Sequence, residues 1–219
     1  MFRKLLYLSL FLCALNFKAG SQEPCYYGQF KNIFDYREYN SGLAYNQLIL
    51  GARADGGVGF TIDSISEVCG GLNYMFEYGS DPKALTPVPD MYYKLKTEHF
   101  KMLFGSFPRA ELLNYPLALL TDTLLYYRPN IQGGFMELNG NWGNQNAWCD
   151  WTSRQTLVDD ECFRAGVSGH FKYGIFYIED YFYMYHHANT KPGVTVYHNV
   201  RDNGGGAFYA GTDLTKKIH

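Results

Sequence analysis

The sequence predicts an all-β protein folded as an antiparallel up-and-down transmembrane β-barrel, and two observations favour this fold. The first is a long, regular alternation of apolar and polar residues over 48–62 and 68–78. The second is that short and long connections between the predicted strands alternate along the chain, as in outer-membrane barrels. A strand of a water-soluble protein has about 5–6 residues, whereas a barrel strand crossing a membrane needs about 9–11. Both alternating segments are longer than a typical strand of a water-soluble protein.

The alternation assigns the two faces of these strands. Even positions over Leu48–Ile62 and Val68–Tyr78 are mostly apolar or small. The odd positions carry the polar residues, which include Arg53, Asp55, Glu67, Asn73 and Glu77. Successive side chains of a strand point to opposite faces, so one face suits lipid and the other a polar lumen. We therefore expect arginine at Ala54 or Leu72 to be costly, and arginine at Gly57 or Asn73 to be milder.

The strand boundaries follow from the same pattern. The predicted strands are 44–62, 66–79, 90–97, 99–107, 131–139, 145–155, 161–173, 174–187 and 206–214. Residues 22–43 are turn-rich and hold only a weak strand candidate near Phe30–Tyr39. The longest connection, Pro108–Asn130, is rich in leucine, and loops of this length are usually functional. We expect it to pack against the barrel.

The N-terminus predicts export to the outer membrane. Arg3 and Lys4 precede the apolar run Leu5–Leu15, and the small residues Ala19–Ser21 follow, as in a cleaved signal peptide. The predicted organisation is a signal peptide at 1–21, an N-terminal segment at 22–43 and a β-barrel domain at 44–219. Nine strands is an odd number and the chain ends without a terminal aromatic strand, so we expect this to be part of a barrel.

The composition limits the classes of partner that the protein is expected to bind. The net charge is −2 and there is no basic patch, so nucleic acid is not an expected partner. The aromatic content of 18% suits membrane interfaces, although an aromatic-rich secreted β-sandwich would share it. Four cysteines follow the signal peptide, namely Cys25, Cys69, Cys149 and Cys162. Their even number allows disulfides, and their spacing matches no zinc pattern.

The candidate site residues are those of a pore. The alternation of inward and outward positions along each strand places charged residues on the inner face. These pore-lining candidates are Arg53, Asp55, Glu67, Glu77, Asp150, Arg154, Arg164, His170 and Lys172. The long connection supplies four charged residues for a constriction, namely Arg109, Glu111, Asp122 and Arg128. Charged side chains in a lumen select which solutes pass. No catalytic residue, metal site or cofactor is predicted.

Two other constellations give alternative functions. Adjacent His186 and His187 point to opposite faces of a strand, so with His198 they do not predict a metal site. Glu137 and Asp150 lie on neighbouring predicted strands near three tryptophans, which would suit a β-rich glycoside hydrolase if the carboxyls were close. The aromatic residues would equally suit a secreted or surface β-sandwich that binds glycans.

Several ordered motifs carry a family resemblance. They are Gly105–Arg109, Tyr115–Leu120, Asp122–Gly133, Asp150–Ser153 and Gly169–Gly174. In these motifs the chain resembles porin-like outer-membrane barrels of Gram-negative bacteria. The resemblance implies a channel for passive diffusion of small polar solutes, and not an enzyme. Its implied partners are outer-membrane lipid and those solutes, and a homo-oligomer is allowed.

Overall fold

Ten antiparallel strands form a single sheet in the computed structural model, which describes residues 22–40, 46–80, 87–110, 112–189 and 199–215. The strands are β1 (Gln22–Arg37), β2 (Gln47–Ile62), β3 (Ser66–Glu77), β4 (Val88–Lys96), β5 (Phe100–Pro108), β6 (Asn130–Gly140), β7 (Gly143–Ser153), β8 (Glu161–Tyr173), β9 (Phe176–Asn189) and β10 (Asn199–Thr212). Each strand pairs with the next along the chain, which confirms the up-and-down barrel. In the described residues the barrel stays open between β1 and β10.

Strands β1 and β10 differ most from their predicted limits. Strand β1 occupies the stretch interpreted as turn-rich, because Gly28 and Asn32 interrupt its outward apolar series and conceal the alternation. Strand β10 begins at Asn199, before the predicted start at residue 206. The run Gly204–Gly206, of which the first two residues precede the predicted strand, pairs with β9. Both differences arise because backbone pairing with a neighbour continues where the side-chain pattern is weak.

The strand ends that the long connections join all lie at one end of the barrel. Four connections are short, at 63–65, 97–99, 141–142 and 174–175. Five are longer, at 38–46, 78–87, 109–129, 154–160 and 190–198. We name the two ends the short-turn end and the long-loop end, and in outer-membrane barrels the latter is extracellular. No helix among the described residues is long and apolar enough to cross a membrane.

Burial in this protein is inverted relative to a water-soluble fold. The outward side chains of Val58, Leu72 and Phe104 are 71%, 58% and 69% exposed. The inward side chains of Arg53 and Asn73 are 7% and 3% exposed. A water-soluble sandwich would bury the apolar face, so the β-sandwich alternative is wrong. The outward apolar face is that of a barrel in lipid.

The interior of the barrel is packed with large side chains. Phe107, Ile131, Phe135 and Trp148 face inward and are between 0% and 4% exposed. The connection 109–129 folds into this interior, where its leucines Leu112, Leu113, Leu119, Leu120 and Leu124 join the same cluster. A water-filled lumen would leave these side chains exposed to water. The packing argues against the predicted open channel.

Tyr115 anchors the inward connection to the barrel wall. Its hydroxyl donates to the carbonyl oxygen of Val167 at 2.8 Å and lies 3.1 Å from that of Phe182. The indole Nε1 of Trp148 donates to the same hydroxyl at 2.9 Å. Because buried polar groups without partners are costly, this network holds the connection in one position.

Interior glycines make room for neighbouring side chains. A Cβ at Gly57 would lie 2.4 Å from a ring carbon of Tyr27 and 2.6 Å from the carbonyl oxygen of Gly70. The space that we expected at Gly57 for a longer side chain is therefore filled by Tyr27. At Asn73 the side chain is already buried. Polar positions of the inner face are as constrained as a protein core.

Leu72→Arg is expected to destabilise the barrel by roughly 2–4 kcal/mol, because Leu72 faces lipid near the middle of β3. The measurement is urea unfolding in lipid vesicles, followed by tryptophan fluorescence. Leu72→Ala is the matched control and should change stability much less, because it places no charge in lipid. Equal destabilisation by the two substitutions would contradict the lipid-facing assignment.

Candidate functional site

A polar cavity of about 520 Å³ opens between the barrel wall and the inward connection. It lies near the long-loop end, because its wall residues come from the ends of β2 to β7 nearest to that end. Its polar lining is Arg53, Asn73, Asp90, Ser106, Tyr127, Arg128, Asn130, Gln132 and Thr152. This set combines two cations with amides, hydroxyls and one carboxylate. Such a lining suits a ligand that carries both hydroxyl groups and negative charge.

Hydrogen bonds hold the polar wall of the cavity. The Ser106 hydroxyl donates to Asp90 Oδ1 at 2.9 Å. The Arg53 guanidinium donates to the side-chain oxygen of Asn73 and lies 5.8 Å from the centre of the Tyr126 ring. Because Asp90 and Asn73 are each 3% exposed, these groups are preorganised rather than solvated.

Helix α1 (Asp122–Tyr127) closes one side of the cavity. The Tyr127 hydroxyl donates to Glu77 Oε1 at 2.7 Å, which ties the end of α1 to β3. Desolvation and this hydrogen bond raise the pKa of Tyr127 to about 12. The Arg128 guanidinium donates to the carbonyl oxygen of Thr152 at 3.3 Å and ties the same segment to β7.

A buried ion pair joins the inward connection to the barrel wall. The side chains of Arg109 and Asp150 are fully buried and bonded to each other. Arg109 also donates to the carbonyl oxygens of Arg128 and Asn130, each at 3.2 Å. Burial lowers the pKa of Arg109, and the charge of Asp150 opposes that change. The pair holds both ends of the connection against β7.

A second cluster lies at the long-loop end, beside the cavity. His187 Nε2 is 3.0 Å from Asp160 Oδ2, and the Ser153 hydroxyl donates to the backbone oxygen of Asp160 at 2.6 Å. The strand register places Ser153 opposite Cys162 and Cys162 opposite His187. Asp160 thus contacts His187 through its carboxylate and Ser153 through its backbone oxygen, and a histidine held by a carboxylate can act as a general base. We call Ser153, Asp160 and His187 the rim cluster.

The rim cluster and the cavity meet at β7. Thr152 lines the cavity, and Ser153, the next residue, belongs to the rim cluster. A shift of register between Trp151 and Ser153 turns the end of β7, so that Ser153 shares a face with Cys162. The cavity and the rim cluster are therefore adjacent along β7.

Sequence reasoning missed the rim cluster, although part of the signal was present. His186 and His187 do point to opposite faces: His186 Nδ1 lies 2.7 Å from Asp202 Oδ1, and His187 faces inward. His198 is outside the described residues. The alternation therefore placed the two histidines on opposite faces without indicating which one faces inward, and Asp160 comes from a connection that no periodicity describes.

The nine predicted pore-lining residues do not form one site. They divide by burial into three groups: Arg53, Asp55 and Asp150 are buried, Glu67, Glu77, Arg164 and His170 are half-buried, and Arg154 and Lys172 are exposed. Several pair with neighbours in the barrel, as His170 does with Glu179 at 3.1 Å and Lys172 with Asp213 at 2.7 Å.

The four predicted constriction residues are also separated. Arg109 is buried against Asp150, and Arg128 lines the cavity. Asp122 begins α1, but its side chain is outside the described residues, as is the whole of Glu111. The structure therefore joins two of the four to the cavity and its ion pair.

The paired carboxylates of the hydrolase alternative do not face each other. In the β6–β7 register Asp150 lies opposite Gly133, whereas Glu137 lies opposite Asn146. Four residues along a strand span about 13 Å, more than a glycosidase pair requires. Asp150 is moreover engaged by Arg109. The glycoside hydrolase alternative is therefore wrong.

The fold and the site define a class of protein: an outer-membrane β-barrel with a packed interior and a polar cavity near its extracellular end. A family model described as lipid A 3'-O-deacylase-type matches residues 29–218. Because the match covers most of the chain, the protein belongs to this family of outer-membrane enzymes that modify lipid A. No curated protein is significantly similar to the chain.

The family match corrects four expectations and agrees with a fifth. The resemblance to porin-like barrels is wrong as a family assignment, and with it the function of a passive channel. The expectation that the chain is not an enzyme is wrong, since the family is one of enzymes. Small polar solutes are likewise replaced as expected partners by lipid A, itself an outer-membrane lipid. The predicted outer-membrane location is confirmed.

Proposed function

We propose that this protein hydrolyses the ester that links an acyl chain to the 3' oxygen of lipid A. The observation that carries the proposal is the family match over residues 29–218. The packed interior supports it, because hydrolysis at the barrel rim needs no open channel. The position of the cavity near the long-loop end supports it too, because that end faces the outer leaflet.

The cavity lining suits the headgroup of such a substrate. Lipid A is an acylated disaccharide of amino sugars that carries phosphate groups. Arg53 and Arg128 offer guanidinium groups for phosphate, for which arginine geometry is well matched. Asn130 and Gln132 offer hydrogen bonds to sugar hydroxyl groups. The apolar outer surface of the barrel leaves the acyl chains in lipid.

The rim cluster supplies the chemistry of ester hydrolysis. With Asp160 accepting a hydrogen bond from His187 Nε2, the Nδ1 lone pair of the imidazole accepts a proton from the attacking hydroxyl or water. Arg201 lies opposite His187 in the β9–β10 register and supplies positive charge for the oxyanion that forms. His187 is thus the general base, and Asp160 orients it.

Purified protein incubated with lipid A in mixed micelles tests the proposed function. We expect mass spectrometry to show the loss of one acyl group from the 3' oxygen and the matching free fatty acid. Fragmentation of the product identifies the position of the cleaved ester. Unchanged lipid A, or release from another oxygen, would contradict the proposal. Ser153→Ala distinguishes the nucleophiles, since only attack by water survives it.

A further inference from the structure

Two inward cysteines and a glutamate meet near the short-turn end, far along the strands from the cavity. Cys25 Sγ lies 3.4 Å from Cys69 Sγ, and Cys69 Sγ lies 3.3 Å from Glu67 Oε1. The three ligand atoms are all within 4.8 Å of one another. No role in lipid A hydrolysis follows from this group, which neither the cavity nor the rim cluster includes.

The two thiols belong to strands that are not neighbours. Cys25 on β1 lies opposite Gly59 on β2, and Gly59 lies opposite Cys69 on β3. A Cβ at Gly59 would lie 2.2 Å from the carbonyl oxygen of Val68 and 2.5 Å from Cys69 Sγ. This position therefore admits only glycine, and the absence of a side chain leaves the space in which the two thiols meet across β2.

The register disfavours a disulfide between these thiols. Both cysteines are free thiols. In a flat sheet two strand spacings separate Cα atoms by about 9–10 Å, whereas a disulfide forms without backbone movement only below about 7 Å. Two thiolates that bind one metal ion lie farther apart than the two sulfur atoms of a disulfide. With Zn–S bonds of about 2.3 Å in a tetrahedral site, the sulfur atoms are about 3.8 Å apart. The observed 3.4 Å needs only a small outward adjustment.

The groups around the thiols complete a metal-binding environment. Lys94 Nζ holds Glu67 Oε2 at 2.8 Å, which leaves Oε1 directed toward Cys69. The Tyr92 hydroxyl donates to Oε1 at 3.3 Å. Hydrogen bonds of this kind orient the ligands of metal sites. Two thiolates and a carboxylate, balanced by Lys94 and a divalent cation, leave no net charge in the barrel interior.

We propose that Cys25, Cys69 and Glu67 bind a zinc ion, with water as the fourth ligand. Thiolate and carboxylate ligands in a tetrahedral arrangement are those of zinc sites. The ion links β1, an edge strand of the described sheet, to β3 across β2. The ion stabilises the position of β1, because an edge strand is otherwise hydrogen-bonded to a neighbour on one side only.

Cobalt titration of the reduced, detergent-purified protein tests this site without reference to enzymatic activity. We expect a thiolate-to-cobalt charge-transfer band in the near ultraviolet and the visible bands of tetrahedral cobalt, both lost on addition of Zn²⁺. Cys25→Ser and Cys69→Ser, each alone, should abolish the charge-transfer band that comes from a site shared by both thiolates. Cys149→Ser is the matched control, because Cys149 lies among the outward positions of β7, and it should leave the spectrum unchanged.

A second measurement keeps the test valid if a cysteine variant fails to fold. Chelation with EDTA should lower the midpoint of thermal unfolding of the wild-type protein, and added Zn²⁺ should restore it. Glu67→Gln, which keeps both thiols, should weaken cobalt binding. The proposal is overturned if the wild type shows no cobalt bands, or if mass spectrometry of unreduced protein shows a Cys25–Cys69 disulfide.

Discussion

His187→Ala is expected to lower the rate of 3'-acyl release from lipid A by roughly 10²–10⁴-fold, the usual contribution of a general base. The imidazole of His187 is the group that Asp160 orients at the rim, and alanine removes the proton acceptor while leaving the cavity intact. The measurement is the initial rate of fatty acid release, quantified by mass spectrometry. Folding is checked by the shift in electrophoretic mobility between boiled and unboiled samples.

His186→Ala is the matched control for this experiment. His186 is adjacent on the same strand but lies on the opposite face, paired with Asp202 and stacked on Phe163 at 4.6 Å. Its replacement should leave the rate nearly unchanged. An equal loss of activity in both variants would indicate a structural effect. Full activity of His187→Ala would exclude His187 as the base and would direct attention to Asp90 and Ser106 in the cavity.

Asp150→Asn is expected to destabilise the barrel by about 3–5 kcal/mol, because it leaves the buried charge of Arg109 without its partner. The neutral amide keeps the shape of the side chain, so the effect reports the charge. Urea unfolding in lipid vesicles, followed by tryptophan fluorescence, measures it. We expect lower activity as well, since the ion pair holds the connection that forms one wall of the cavity.

Two comparisons sharpen this second prediction. Lys172→Ala breaks the ion pair to Asp213, where both side chains are partly exposed, and should change stability little. Replacing both buried partners, as in Arg109→Met with Asp150→Leu, should recover much of the stability lost by Asp150→Asn, because no unpaired charge remains. If Asp150→Asn and Lys172→Ala have equal effects, the buried pair does not organise the connection.

The porin-like interpretation was wrong for a reason that lies in the interior of the barrel. The polar residues at alternate positions of the inner face predict the lining of a water-filled lumen. Inward positions also include Phe107, Phe135 and Trp148, and the connection 109–129 fills the space between them. The alternation of residues along a strand shows which face a side chain occupies. It does not show what fills the interior of the barrel, because the connection that fills it has no periodic pattern. The family match then supplies the enzymatic function that the alternation did not indicate.

The sequence by itself determined the barrel, its two faces, the sorting of its connections and its outer-membrane location, because strand alternation and loop length are local properties. Only the tertiary structure decided the site. His187 and Asp160 are 27 residues apart, Arg109 and Asp150 are 41 apart, and Cys25 and Cys69 are 44 apart. Which side chains meet inside a barrel depends on strand register and on the path of the inward connection. Neither the register nor the path of the connection produces a periodic pattern in the sequence. The division of a strand into an apolar and a polar face does produce one.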